Sequence, residues 1–383
     1  MRAARWAELL GIAASWQIRH VANKLALPRA VPFPRTIVPT PECHARASQA
    51  ITHWEHYEPT PLRAAPELAA ALELDELWLK DESARLNTGS FKALGGGYAV
   101  EQLLGDDGLG RVIATASAGN HGVGIAAACR RLGAACHVFL HSGVSEIQAE
   151  RIRALGGTVH RCATYSYEES LAEARREAEA NSWMIVQDVS WEGYTRVPSL
   201  IFAGYTVLAA EIVEQLAAAD APPPTHVLIN AGVGGLAAAV SAHLAHAYGS
   251  ARPRVVLVEP HAADCNLHSA RLGAITALPD ARLAAESTIQ TGLDVAVPDA
   301  LAWEVVSRAT DDFVAVPDAV VSPCVALLAE EVAPPIHAGD SAVAGLGVLL
   351  AAAAQPSLRA KLQLDRRSRV AVIVCEGAFR SPL

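Results

Sequence analysis

An alternation of short β-rich runs with alanine-rich amphipathic runs constrains this chain more than any other feature. The β-rich runs are "LWLK" (77–80), "RVIATA" (111–116), "ACHVFL" (135–140), "TVHRC" (158–162), "MIVQD" (184–188), "HVLINA" (226–231), "RVVLVE" (254–259), "DFVAV" (312–316) and "RVAVIVCE" (369–376). Several are apolar throughout, as strands buried on both faces must be. Between them lie stretches such as "GIAAACRRLG" and "SLAEARREAEAN", apolar along one stripe and closed by Gly or Asn, the pattern of amphipathic helices. Repeated βαβ units predict an α/β fold with mostly parallel sheets and helices on both faces. Three consecutive prolines in "AAADAPPPTHVLIN" end a helix and open a new strand, and a second Pro/Gly/Asp-rich break lies near 278–300.

A chain of 383 residues with 51% hydrophobic and 19% charged content can bury the cores of two domains. Its net charge of −9 carries no basic stripe, which argues against nucleic acid or an anionic membrane as partner. The cysteines at 43, 129, 136, 162, 265, 324 and 375 are scattered without a C-x-x-C pair. No metal site is expected from them, and a reducing cytoplasm fits. No apolar run approaches the ~18–20 residues needed to cross a bilayer. In the opening "MRAARWAELLGIAASW", Glu8 interrupts the apolar patch, so the segment reads as an ordinary helix rather than a secretory signal.

Lysine is rare here: Lys24, Lys80, Lys92 and Lys361 are the whole complement. Lys92 stands among small and apolar residues in "LNTGSFKALGGGYAV". A desolvated lysine can lose its proton and attack a carbonyl, which arginine cannot do. Lys92 is therefore a candidate nucleophile, with a snorkelling helix-start lysine as the alternative. His121 and Lys80 read more readily as structural groups than as catalytic ones.

Three loops follow strands, where open α/β sheets bind ligands. Ser117, Ala118, Gly119, Asn120 and His121 lead from a strand into a helix, whose N–H groups suit an anion. Gly232, Val233, Gly234, Gly235 and Leu236, followed by Ala237, satisfy the G-x-G-x-x-A dinucleotide pattern, and Glu259 stands near where a ribose-binding acid would lie. The same turn equally cradles one phosphate, so this loop alone leaves NAD open. In the third loop Cys375 ends a buried strand ahead of Glu376 and Gly377. A reactive lysine, an anion loop and a phosphate loop together are what pyridoxal 5′-phosphate requires. Lys92 would form the Schiff base, with Phe91 beside it in the cofactor site. Gly232–Leu236 would hold the phosphate, Asn120 the ring hydroxyl, and Cys375 would face the pyridine nitrogen. A hydride-transferring enzyme leaves Lys92 and the 117–122 loop unexplained.

In this order, "GSFKALGG", "SAGNHG", "AGVGGL" and "VCEG" resemble the tryptophan-synthase-β-like, fold type II pyridoxal-phosphate enzymes. The context "YEPTPL", "LWLKDES", "VQDVSWEGYTRVP", "GYTVLAAEIVEQL" and "VEPHAADC" is similar to the diaminopropionate ammonia-lyase family, over roughly residues 50 to 377. The resemblance implies two three-layer α/β domains. Residues 46–100 and 214–383 would form a large cofactor-binding domain, 101–213 a smaller inserted one, and 1–45 an N-terminal extension. It also implies an active site between the domains, a homodimer, and α,β-elimination from an amino-acid substrate held by Ser117–His121. Two departures stand out. Ala118 replaces the aspartate of the family's D-G-N-H-G loop, and Cys375 replaces its usual Ser or Thr; both resemble threonine and serine dehydratases, so a dehydratase or β-replacement activity stays open. Asp188 is a candidate partner for a β-ammonium group, or else a strand-end cap.

Overall fold

Valine, isoleucine and leucine fill the central β-rich runs, and those runs pair as parallel strands closed off on both faces. The computed structural model describes residues 2–105, 108–117, 119–164 and 167–378, and its chain divides into two units. The first comprises Met1–Thr40, Pro59–Ser83 and Leu208–Ala378. Its strands are β1 (Arg19–Ala22), β2 (Leu62–Ala64) and β3 (Glu76–Asp81), then β8 (His226–Asn230), β9 (Arg254–Pro260), β10 (Asp312–Val316) and β11 (Arg369–Val374). They form one sheet in the order β1-β10-β9-β8-β11-β3-β2. The five central strands run parallel, as the βαβ pattern requires.

The two edge strands carry no long apolar run, which is why the sequence pattern does not show them. β1 ("RHVA") lies antiparallel on β10, pairing Arg19 with Ala315, and β2 ("LRA") lies antiparallel on β3. Through β1, the first forty residues are tied to the unit of the large sheet. The helix Arg2–Ala14 precedes β1, and Gln355 Nε2 donates to the carbonyls of Ala13 and Trp16 at 3.0 and 2.9 Å, pinning the turn between them.

The second unit, Pro41–Glu58 with Ala84–Val207, holds β4 (Val112–Ala116), β5 (Ala135–Leu140), β6 (Thr158–Arg161) and β7 (Met184–Ile185), in the order β6-β5-β4-β7 and all parallel. The unit boundaries at 83/84 and 207/208 place the helix Lys92–Leu104 here, packed on the helix Asn120–Leu132. Glycines make that approach possible, since a Cβ at Gly124 would lie 3.1 Å from the Ala93 Cα. The second boundary falls inside the helix Arg196–Ala218. That helix corrects the membrane expectation: by length and composition it is apolar enough to span a bilayer, yet 72% of its most apolar window is buried within the protein.

Candidate active site

Lys92 is the first residue of its helix. Its side chain is 23% exposed, and its Nζ donates to Oδ2 of Asp188, which is only 10% exposed. Phe91 is buried directly before it, edge-on to the Tyr205 ring at 4.8 Å, with Lys92 Nζ 5.6 Å from the Phe91 centroid. Gly95 admits that packing, because a Cβ there would meet the Tyr205 ring at 2.4 Å. Burial, the largest single influence, would lower the Lys92 ammonium, but the Asp188 charge, the Tyr205 and Tyr167 phenols and the hydrogen bond to Asp188 together carry the group above the usual lysine value. Burial would likewise raise Asp188, yet the His121 ring and the Lys92 ammonium hold it below the usual carboxylate range.

Gln187 aims that carboxylate, and nothing in the sequence pattern singles it out. Its Nε2 donates to the Ala116 carbonyl at 2.8 Å, and its Oε1 accepts from the Ala116 N–H and the Thr115 hydroxyl at 3.1 and 2.9 Å. The Tyr194 hydroxyl accepts from the Gln187 N–H and donates to the Ile185 carbonyl, both at 2.9 Å. These bonds end β7 after two residues, so "VQD" leaves the sheet and Asp188 turns to Lys92.

The 117–121 loop is arranged differently from a simple row of ligand donors. Ser117 is buried, and its hydroxyl accepts from the N–H groups of Gly119 and Gly122 at 3.0 and 2.9 Å, which fixes the turn. His121 is 5% exposed, with Nε2 on the Val186 carbonyl at 3.2 Å and Nδ1 3.8 Å from Asp188 Oδ2. Burial pushes its imidazole below the usual histidine range, with Asp188 opposing. Asn120 opens the helix and its Oδ1 accepts from Arg151 at 3.4 Å. Ala118 lies outside the described residues.

The glycine loop belongs to the first unit, between β8 and the helix Gly235–Tyr248. Its carbonyls are spent within the protein. Gly232 O accepts from Asn266 Nδ2 at 2.8 Å, Val233 O from the Asp299 N–H at 2.9 Å, and Gly234 O from the Ala238 N–H at 2.8 Å. The N–H groups of Val233, Gly234, Gly235 and Leu236 donate to no protein acceptor among the described residues. Gly234 stands at φ 102°, a conformation that costs any other residue, and this turns the N–H groups the same way. A run of converging donors at a helix start is a cradle for phosphate.

Asn266 and Glu259 support that cradle. Glu259 is fully buried and accepts from the Asn266 N–H at 2.8 Å, Asn266 Nδ2 at 2.9 Å and the Leu267 N–H at 2.9 Å. Burial pushes its carboxyl up to about 8 against those three donors. This corrects the ribose-binding reading of Glu259: both oxygens face inward and cap the helix Cys265–Leu272. Cys375 follows β11, 3% exposed, and its thiol donates to the Ser341 carbonyl at 3.6 Å. Asn230 Nδ2 stands 3.9 Å from the same sulfur.

A partly buried lysine–carboxylate pair and a glycine-rich turn with free N–H donors are each of a kind that pyridoxal phosphate uses, and the fold is that of the type II enzymes using it. Residues 53–376 match the family described as "Pyridoxal-phosphate dependent enzyme", and the chain belongs to that family. Within it, the chain is similar to the diaminopropionate ammonia-lyase of Escherichia coli (strain K12), 34% identical over 343 residues, which cover 84% of this chain and 85% of that one. A crystal structure of the Escherichia coli ammonia-lyase in complex with an aminoacrylate-PLP azomethine reaction intermediate superposes with a TM-score of 0.87, at 31% identity and 95% coverage of each chain. Threonine deaminase isoform 2 from Solanum lycopersicum, at 21% identity and a TM-score of 0.74, shares the fold.

Proposed function

We propose that this enzyme catalyses α,β-elimination on 2,3-diaminopropionate, giving pyruvate and ammonia. The observation that carries the reading is the buried Asp188 carboxylate beside the Lys92 amine. Bound pyridoxal phosphate supplies a conjugated ring that takes up the electrons freed when the substrate's α-proton leaves. Lys92 Nζ would bind the cofactor and would take the substrate's α-proton. The N–H groups of Val233–Leu236 would hold the phosphate, and Phe91, beside Lys92, would line the cofactor site. Asn120 would bond the ring hydroxyl and Cys375 would meet the ring nitrogen. A thiol leaves that nitrogen less protonated than a carboxylate would, which favours elimination over reactions needing a longer-lived carbanion.

Asp188 would serve two cations in turn. With the cofactor absent it pairs with the Lys92 ammonium. With Lys92 engaged by the cofactor, the carboxylate would be free to meet the β-ammonium that diaminopropionate has and serine lacks. A dehydratase acting on hydroxy amino acids is the second reading, favoured by the "SAGNH" loop and by Cys375.

Purified enzyme assayed for pyruvate and ammonia against a panel of β-substituted amino acids tests both. Fastest turnover of 2,3-diaminopropionate supports the first reading, and faster serine or threonine turnover replaces it with the second. We further propose a homodimer, on the strength of the family resemblance, and a cytoplasmic location. All seven cysteines are free thiols and six are buried, which suits a reducing compartment.

A further inference from the structure

We propose that the chain carries a second anion site, for a small phosphate monoester, in an arginine-lined cavity at the end of the large sheet opposite the glycine loop. The cavity measures about 390 Å³, the size of a small-ligand pocket. Arg29, Arg252, Arg254 and Arg369 line it together with Thr225 and Gln363. Arg254 and Arg369 open β9 and β11, and Thr225 stands between them just before β8. The main chain locks the three in register: Arg254 N–H donates to Thr225 O and Thr225 N–H to Arg369 O, both at 2.7 Å. The glycine loop leaves the far end of β8, so roughly seven residues at about 3.3 Å each separate the two.

The charges do not balance. Arg252 pairs with Asp311 at 3.0 Å, and Arg254 forks onto Asp312 at 2.6 and 3.1 Å. Arg29 reaches Asp311 only at 3.5 Å and spends its other terminal nitrogen on the Arg252 carbonyl. Arg369 donates from Nε to the Pro223 carbonyl at 3.1 Å and meets no carboxylate among the described residues. Four guanidinium groups therefore share two aspartates, one of which also holds His20 at 2.8 Å. About two positive charges are left facing the cavity, in a chain whose net charge is −9. Burial lowers the Arg29 guanidinium, and Arg252 and Arg254 lower it further against the pull of Asp311.

Two features argue against simple bracing. Every cation here is arginine, whose planar fork matches phosphate oxygens two at a time. Gln363, just past the helix Pro356–Lys361, lines the cavity at φ 57°, a conformation that costs glycine least.

The test is calorimetric titration of the holoenzyme at constant ionic strength in chloride, with inorganic phosphate, ribose 5-phosphate and citrate as probes. Saturable binding of both phosphate compounds is expected, tighter for the ester, with the visible cofactor band unchanged. Arg29→Gln and Arg369→Gln should each weaken it by about tenfold or more. If Arg29→Gln fails to fold, Arg369→Gln carries the test, because among the described residues its guanidinium bonds only a main-chain carbonyl. Binding of free phosphate tighter than of the ester would assign the site to the inorganic ion and overturn the monoester. Absence of saturable binding, equal binding in the variants, or a bleached cofactor band would overturn the site itself, and tighter citrate binding would overturn its assignment to phosphate.

Discussion

Lys92 and Asp188 form a partly buried ion pair between the start of one helix and the segment three residues past a two-residue strand, and each holds the other charged. The pair stabilises the protein only while both charges exist. Asp188 lies below its unfolded value, so its contribution is complete above about pH 4 and fades as pH falls through that depressed value. Lys92 lies above its unfolded value, so its contribution holds below about pH 10 and fades as pH rises further. In cofactor-free protein, Asp188→Asn should cost about 1–3 kcal/mol at neutral pH. The gap in unfolding free energy from wild type should close on acidification below about pH 4. A gap that stays constant down to pH 2 would remove the ion pair as its source.

On turnover, Asp188→Asn should depress kcat/KM for 2,3-diaminopropionate more than for serine, since only the former brings a β-ammonium. Steady-state rates on both substrates decide it. Equal losses would confine Asp188 to Lys92.

Lys92→Ala should abolish the visible absorption of the lysine-bound cofactor and lower turnover by at least about 10²–10⁴, the range for a lost general base. Spectra of the purified variant check this. A retained band at the wild-type position would mean another amine holds the cofactor.

Most of the parallel strands and the two reactive loops could be read from the sequence because their signals are local. An apolar run marks a doubly buried strand, and glycines after it mark a turn that must meet a ligand. What escaped depends on partners distant in sequence. β1 is a strand only because β10 offers it an edge 290 or so residues later. Gln187 works through Thr115 and Ala116, and Asn266 through Gly232. Glu259 shows the opposite failure: its spacing fits a ribose acid, but the N–H groups of Asn266 and Leu267, in the first turn of the helix that starts six residues on, take both its oxygens.

Asn266→Ala should loosen the phosphate cradle, because Gly232 O loses its donor and Glu259 one of three. Cofactor affinity should fall about tenfold, measured by dialysis and the residual visible band. Gly234→Asp should be more severe. A Cβ there meets only ordinary contacts near 3.4 Å, so the damage comes from the backbone angle and the new charge. Unchanged occupancy in both variants would place the phosphate elsewhere.

L- and D-amino acids present their α-hydrogens to opposite faces of the cofactor, and Lys92 serves one of them. Ala118 has no ionisable side chain to act as a second base. Strong preference for L-2,3-diaminopropionate is therefore expected, with D-isomer activity partly restored by Ala118→Asp. Comparable wild-type rates on both isomers would show that another group supplies the proton transfer.

The antiparallel placement of β1 on β10 makes the first forty residues a guard rail as well as a stretch of fold. With β1 removed, the unpaired carbonyls and amides of the fully buried β10 become a template for any passing strand. A chain shortened to begin at Pro41 would keep the lysine and the glycine loop and still be lost to sheet-mediated aggregation, so any trimming of this enzyme should stop ahead of Arg19.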